Sequence, residues 1–200
     1  DGGAGLNTLS ADFDTNWTLN TTSLTAGNGE QVFFDNVQQA ALTGGASINR
    51  IEVQEWDGSV TLDGGANSDQ FHIALAAFGG SHSTDTSGAL DTLNLSGGAS
   101  ADSFVINSAQ IVYGVEVLEY SGIEVINIGG GAGNDSFAVR GSGAHTINLD
   151  GEGGADSYQI VNGTSNVDVH IHDSGASPAE GGDDDRLTVP TGTTLGTNPI

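Results

Sequence analysis

The chain has 200 residues and a formal net charge of −23, from 26 acidic side chains against three arginines (Arg50, Arg140, Arg186). Without a basic face it has nothing to grip phosphates, which excludes nucleic acid and disfavours an anionic membrane surface as a partner. No stretch approaches the ~20 apolar residues of a membrane span, so membrane insertion is excluded too, and the absence of cysteine removes disulfide and thiolate chemistry.

Hydrophobic residues make up 36% of the chain and aromatics only 6%, so a core has to come mainly from Val, Ile, Leu and Ala. The 32 glycines exceed average usage but lack the every-third-residue period of collagen, and they fall where turns are expected. Self-repulsion of this size opposes a compact state unless cations neutralise it. The first residue is Asp and no signal peptide is visible, which predicts a mature or excised segment of a longer protein.

From the N-terminus onward one motif punctuates the chain. A hydrophobic residue leads paired glycines, an Asp or Asn follows seven places after it, and an alternating apolar run comes next. A short version lies in Asp1–Leu9. Leu42 leads Gly44, Gly45, Asn49, Ile51 and Val53, and Leu62 leads Gly64, Gly65, Asp69, Phe71 and Ile73. Leu95 leads Gly97, Gly98, Asp102, Phe104 and Ile106. The fullest copy is Ile128–Val139, with Asp135 and Phe137. Leu149 leads Gly151, Gly153, Gly154, Asp156, Tyr158 and Ile160, and a last short copy spans Gly181–Val189. The leading residues Leu9, Leu42, Leu62, Leu95, Ile128 and Leu149 stand 33, 20, 33, 33 and 21 residues apart. A longer duplication lies beneath: Phe34 matches Tyr120, Leu42 matches Ile128 and Ile51 matches Phe137, each at an offset of 86. The chain therefore reads as a repeat protein, with tandem units at 1–90 and 91–189 and a tail at 190–200.

Between the glycine loops, hydrophobic and polar residues alternate at period two, as in Ser59-Val-Thr-Leu, Asp91-Thr-Leu-Asn-Leu and Thr146-Ile-Asn-Leu. No helical period appears. Two strands and two turns in about 20 residues fit one coil of a β-solenoid, with coils stacked at roughly 4.8 Å. The 33-residue intervals predict a coil with an extra strand or a wider excursion. The expected fold is all-β, a solenoid of two tandem units; the alternative is two small β-sandwiches, one per unit.

Paired glycines permit φ > 0 and let carbonyls approach an ion. Two places after each pair stand Ser47, Asn67, Ser100 and Gly133, of which Gly and Asn tolerate a left-handed conformation. A carboxylate two residues further on can join backbone carbonyls around calcium, which takes six to eight oxygen ligands. Here the sequence resembles the haemolysin-type, or repeats-in-toxin, calcium-binding repeat G-G-x-G-x-D-x-hydrophobic-x. Gly130–Ala138 matches it in full. Gly64–His72 and Gly97–Val105 lack the third glycine, Gly44–Glu52 also lacks the Asp, and Gly151–Gln159 has its glycines shifted. Family members repeat the nonapeptide back to back, whereas these copies are spaced; the resemblance is closer to the divergent glycine–aspartate repeats of very large bacterial surface and secreted proteins. It implies a parallel β-roll with calcium held between loops, and carries that role onto Asp69, Asp102, Asp135 and Asp156, with Asn49 in the equivalent place. Asp183, Asp184 and Asp185 form a second candidate site. The competing reading of these loops is a tight turn, with Asp and Asn bonding their own backbone.

Other features are weighed more briefly. Asp168, His170 and His172 alternate on one strand and share a face, which suits either a solvated surface or a zinc-like site. Phe71, Phe104, Phe137 and Tyr158 hold one motif position and predict a core stack. Trp17 and Trp56 read as packing residues. The sequons at Asn16, Asn20, Asn94, Asn134 and Asn162 are expected by chance in a chain so rich in Asn, Ser and Thr. No nucleophile–base pair or phosphate loop is apparent.

These observations predict a calcium-stabilised, non-enzymatic extracellular module of an adhesin, stalk or filament, in contact with neighbouring repeats or further copies and with a possible cell-surface or glycan ligand. Two alternatives remain: a β-helix enzyme acting on acidic polysaccharide, for which the arginines have to share a groove with Asp or His, and a calcium-dependent sugar-binding module, marked by an exposed tryptophan.

Overall fold

A computed structural model describes residues 3–75, 81–85, 90–141, 146–161, 167–175 and 185–189. Among them are nineteen β-strands and no α-helix. The alternating runs, rich in Val, Ile and Leu, form the strands, and the glycine-rich stretches reverse the chain.

The strands sort into two sheets between which the chain passes back and forth. The first sheet orders β1 (Thr8–Asp12), β5 (Gln39–Gly45), β7 (Ser59–Gly65), β9 (Ser81–Asp85), β13 (Glu116–Tyr120), β12 (Gln110–Tyr113), β11 (Ser103–Ile106), β15 (Ser136–Val139), β17 (Ser157–Ile160) and β19 (Arg186–Thr188). The second orders β18 (Asp168–Ile171), β16 (Thr146–Asp150), β14 (Val125–Gly129), β10 (Thr92–Ser96), β8 (Gln70–Ala74), β6 (Arg50–Glu55), β2 (Trp17–Asn20), β3 (Ser23–Ala26) and β4 (Gln31–Phe33). Neighbours are parallel except within two antiparallel meanders, β2–β3–β4 and β11–β12–β13. Parallel neighbours cannot be joined by a tight hairpin, so each circuit crosses to the other sheet before returning.

The spacings now have a structural cause. The 20- and 21-residue intervals are circuits of two strands, β5 to β7 and β14 to β16. The intervals from Leu9 to Leu42 and from Leu95 to Ile128 carry the meanders. The interval from Leu62 to Leu95 instead contains the two strands β8 and β9 and three crossings between the sheets, and so ends on the opposite sheet from where it began. The strands β1–β9 recur as β10–β18, and because the chain makes seven crossings, an odd number, between β1 and β10, the second set occupies the exchanged sheets. Strand pairing continues across residue 90, with β10 on β8 and β13 on β9.

Inward residues stack in register. In the second sheet Ile51, Phe71, Leu93, Ile126 and Ile147 form one row, and Val53, Ile73, Leu95, Ile128 and Leu149 the next. The two sheets share one hydrophobic core, and each such side chain contributes about 1.5–3 kcal/mol on burial. The aromatic stack is shorter than predicted. Phe104 and Phe137 stack with centroids 5.1 Å apart, as do Phe137 and Tyr158. Phe71 lies outside it, between Ile51 and Leu93 in the other sheet, because the β9 passage changes which sheet follows the glycine loop.

Candidate metal centre

The motif acids occupy a common place: each immediately precedes a strand that follows a crossing between sheets. Asn49, Asp69, Asp91 and Glu124 precede β6, β8, β10 and β14, adjacent strands of the second sheet. Asp102, Asp135, Asp156 and Asp185 precede β11, β15, β17 and β19, adjacent strands of the first. They form two ladders. The amide of Asn49 donates to Asp69 Oδ1 (2.7 Å), that of Asp69 to Asp91 Oδ1 (2.6 Å), and that of Asp91 to Glu124 Oε2 (2.8 Å). In the second ladder Asp102 donates to Asp135 Oδ1 (2.7 Å), Asp135 to Asp156 Oδ1 (2.6 Å), and Asp156 to Asp185 Oδ1 (2.9 Å). These bonds run to the neighbouring circuit. The tight-turn reading expects bonds to an acid's own loop, as Asp102 Oδ2 makes with the Gly98 amide (2.7 Å).

The ladders thus use one oxygen each of Asp69, Asp91, Asp135 and Asp156 and leave the other, and they leave the single side-chain oxygen of Asn49 as well. Asn49 Oδ1 and the Oδ2 atoms of Asp69, Asp91, Asp135 and Asp156 are buried without a hydrogen-bond partner, in residues no more than 3% exposed. An orphaned buried acceptor costs roughly 1–3 kcal/mol, more if charged. The first glycine of each motif makes room for this oxygen. A Cβ at Gly64 would stand 2.5 Å from Asp69 Oδ2, and one at Gly44 2.5 Å from Asn49 Oδ1. At Gly130 it would meet both Asp135 Oδ2 and the carbonyl oxygen of Gly151 in the next circuit. Two acceptors therefore converge there without a donor between them.

Asn67 and Gly133 take positive φ, 76° and 130°, as their place in the loop predicts. The loops also stack on one another, with Ala132 opposite Gly153.

Burial raises the Asp69 pKa to about 6, and repulsion from Asp91 and Asp63 adds to it. Burial likewise raises Asp135, with Asp102 and Glu152 reinforcing, and Asp156, with Asp135, Asp173 and Asp185 reinforcing. Tyr113 donates to Asp102 Oδ1 at 2.8 Å. Burial and that bond keep the Tyr113 hydroxyl protonated.

Asp185 closes the second ladder, while Asp183 and Asp184 lie outside the described residues. One carboxylate oxygen from each of Asp156, Asp173 and Asp185 lies within 4.8 Å of the others, a group that could hold a metal ion. The motif spacing did not single out Asp91, Glu124 or Asp173. Asp91 and Glu124 lack the glycine pair; the available signal was an acid directly before an alternating run, as in Asp91-Thr-Leu-Asn-Leu.

The remaining candidates fall elsewhere. His170 pairs in register with Asn148, and His172 Nδ1 lies 3.5 Å from Asp150 Oδ2. Trp17 and Trp56 are buried, so neither offers the exposed sugar platform that a carbohydrate module calls for. Arg50 pairs with Glu52 (3.1 Å). Arg140 and Arg186 line one groove of about 380 Å³ with Ser103, Ser136, Ser157 and Gln159, and no Asp or His is among its lining residues.

No known family model, curated protein or solved structure matches this chain.

Proposed function

We propose that the chain is a calcium-stabilised, non-enzymatic structural module, a β-solenoid segment of an extracellular adhesin, stalk or filament. The observation that carries this reading is the row of buried, unpartnered oxygens on Asn49, Asp69, Asp91, Asp135 and Asp156. Such a row is costly in a chain of charge −23 unless something positive meets it. The donor set is oxygen only, carboxylates beside glycine carbonyls, which suits a hard cation such as calcium and not a thiolate- or imidazole-seeking metal. Asp69, Asp91, Asp135 and Asp156 would hold the ions, with Asn49 as a neutral member and Asp102 and Asp185 at the ladder ends. The alternation of parallel strands between two sheets supports a solenoid, in which each circuit is one coil. Weak calcium sites of this kind fill at extracellular concentrations, about 10⁻⁴–10⁻³ M, which agrees with the resemblance to surface and secreted repeats.

The test is thermal unfolding in EDTA and then in millimolar calcium. An ion that binds only the folded state adds about 2.7 kcal/mol at a hundredfold excess over its dissociation constant, so the midpoint rises with calcium. A midpoint that does not move overturns the proposal.

A further inference from the structure

We propose that Asp156, Asp173 and Asp185 form a discrete divalent-cation site, built where the chain departs from its own repeat. In every earlier motif the position that cradles the ladder acid is glycine: Gly44, Gly64, Gly97, Gly130 and Gly151. Continuing the Leu149↔Ile171 register by two residues sets Asp173 opposite Gly151. The circuit that should supply an empty cradle supplies a carboxylate instead.

Three observations converge on this point. One oxygen from each of the three carboxylates falls within 4.8 Å of the others. Asp156 is only 1% exposed, and its Oδ2 has no partner. That oxygen is aimed into the cluster: a Cβ on Gly151 would meet both it and the Tyr158 hydroxyl, and the same hydroxyl donates to Asp173 Oδ2 at 2.9 Å. That bond orients the Asp173 carboxylate. Asp185 is fixed in turn by the Asp156 amide, which holds its Oδ1 at 2.9 Å. Three acids in fixed places with one orphaned oxygen make a receptor for a hard cation.

The spread of the cluster, at most 4.8 Å, admits a calcium ion. Oxygens on opposite sides of a calcium ion stand up to about 5 Å apart, and of magnesium about 4 Å. This inference takes the identity of the ion from the calcium reading; Asp156 and Asp185 are shared with the second ladder, and Asp173, which belongs to neither ladder, sets the site apart.

Calorimetric titration of the full chain with calcium chloride tests it. Asp173→Gly restores the residue of the other motifs, and Asp173→Asn keeps the size while removing the charge. Both should lose one equivalent of calcium relative to the wild type, and Asp173→Asn, which still offers Tyr158 an acceptor, should keep the wild-type midpoint in EDTA. A titration unchanged in both variants refutes the site, as does a wild type that takes up no calcium. The Asp69→Asn and Asp135→Asn variants separate the two readings. If they titrate like the wild type while Asp173→Gly loses its equivalent, the ladders do not bind calcium and the three-carboxylate site stands. If they lose calcium and Asp173→Gly does not, the ladders stand and this site falls.

Discussion

Asp135 performs two tasks with two oxygens, and substitutions can separate them. Its Oδ1 accepts the Asp102 amide, and its Oδ2 faces Gly130 without a partner. Asp135→Ala removes both and leaves an amide unpaired, which should cost about 1–3 kcal/mol. Asp12→Ala, at an exposed position of β1, should stay within about 0.5 kcal/mol. Asp135→Asn keeps an acceptor for Asp102 and turns the orphaned oxygen into an amide that can donate to the Gly151 carbonyl. Asp135→Asn should therefore melt at or above the wild type in EDTA and below it in calcium. The same ranking in both buffers would rule out a cation at this residue. How legible each ladder acid was depended on its neighbours. Asp69, Asp102 and Asp135 stood out because a glycine pair precedes each at constant distance, and Asp156 because Gly151 stands at that distance although the pair is shifted to Gly153 and Gly154. Asp91 and Glu124 have the same place in the fold without that marker, and Asp173 is visible only as a glycine that is missing. The phenols of Tyr113 and Tyr158 left no local sign, since their partners Asp102 and Asp173 lie 11 and 15 residues away.

The glycine loops are where an element of the repeat meets its neighbour most closely. Gly131 has φ +96°, and a Cβ there would overlap the Gly98 carbonyl oxygen of the adjacent loop. Gly114, in the turn between β12 and β13, has φ +59° with nothing within 4 Å of a Cβ. Both pay for a left-handed backbone if changed to alanine, about 1 kcal/mol. Only Gly131→Ala also forces two loops apart, and it should cost roughly 2–4 kcal/mol in total. Comparing the two urea midpoints checks this; equal losses would mean that loop stacking contributes nothing beyond φ. The strands themselves were readable, because alternation at period two records which residues point inward. What alternation does not record is the sheet to which a strand belongs. That depends on how many crossings precede it, and the decisive one is β9, whose sequence Ser-His-Ser-Thr-Asp has no hydrophobic alternation. Missing that strand puts Phe71 on the wrong sheet and hides the exchange of sheets between the halves.

At the scale of the molecule, the joint between the halves shows how one nine-strand set receives the next. β13 ends the second meander and pairs in parallel with β9, while β10 pairs in parallel with β8. By the same correspondence, β4 is the strand that should pair with a neighbour's β18, and β1 the strand that should pair with its β17. Among the described residues the outer side of β4 is unpaired, and its Val32 and Phe33 are 57% and 75% exposed. Strand direction agrees as well, since two antiparallel steps return β4 to the direction of β2, which β18 shares. One obstacle stands at the other end: β19 already pairs with β17, holding the place a neighbour's β1 would take. Its Leu187 is 49% exposed, so the contact is shallow. We therefore predict that head-to-tail association of the full chain is held back by β19 and depends on β4. Leu187→Pro, which disfavours a strand at that edge, should raise the mass measured by light scattering as concentration increases. Adding Val32→Lys and Phe33→Lys, charges that blunt an edge strand, should return it to a monomer without lowering the thermal midpoint, because both side chains already face solvent. A Leu187→Pro chain that stays monomeric at every concentration, or one that associates equally well with the two lysines present, would show that the joint between the halves is not the template for contacts between copies.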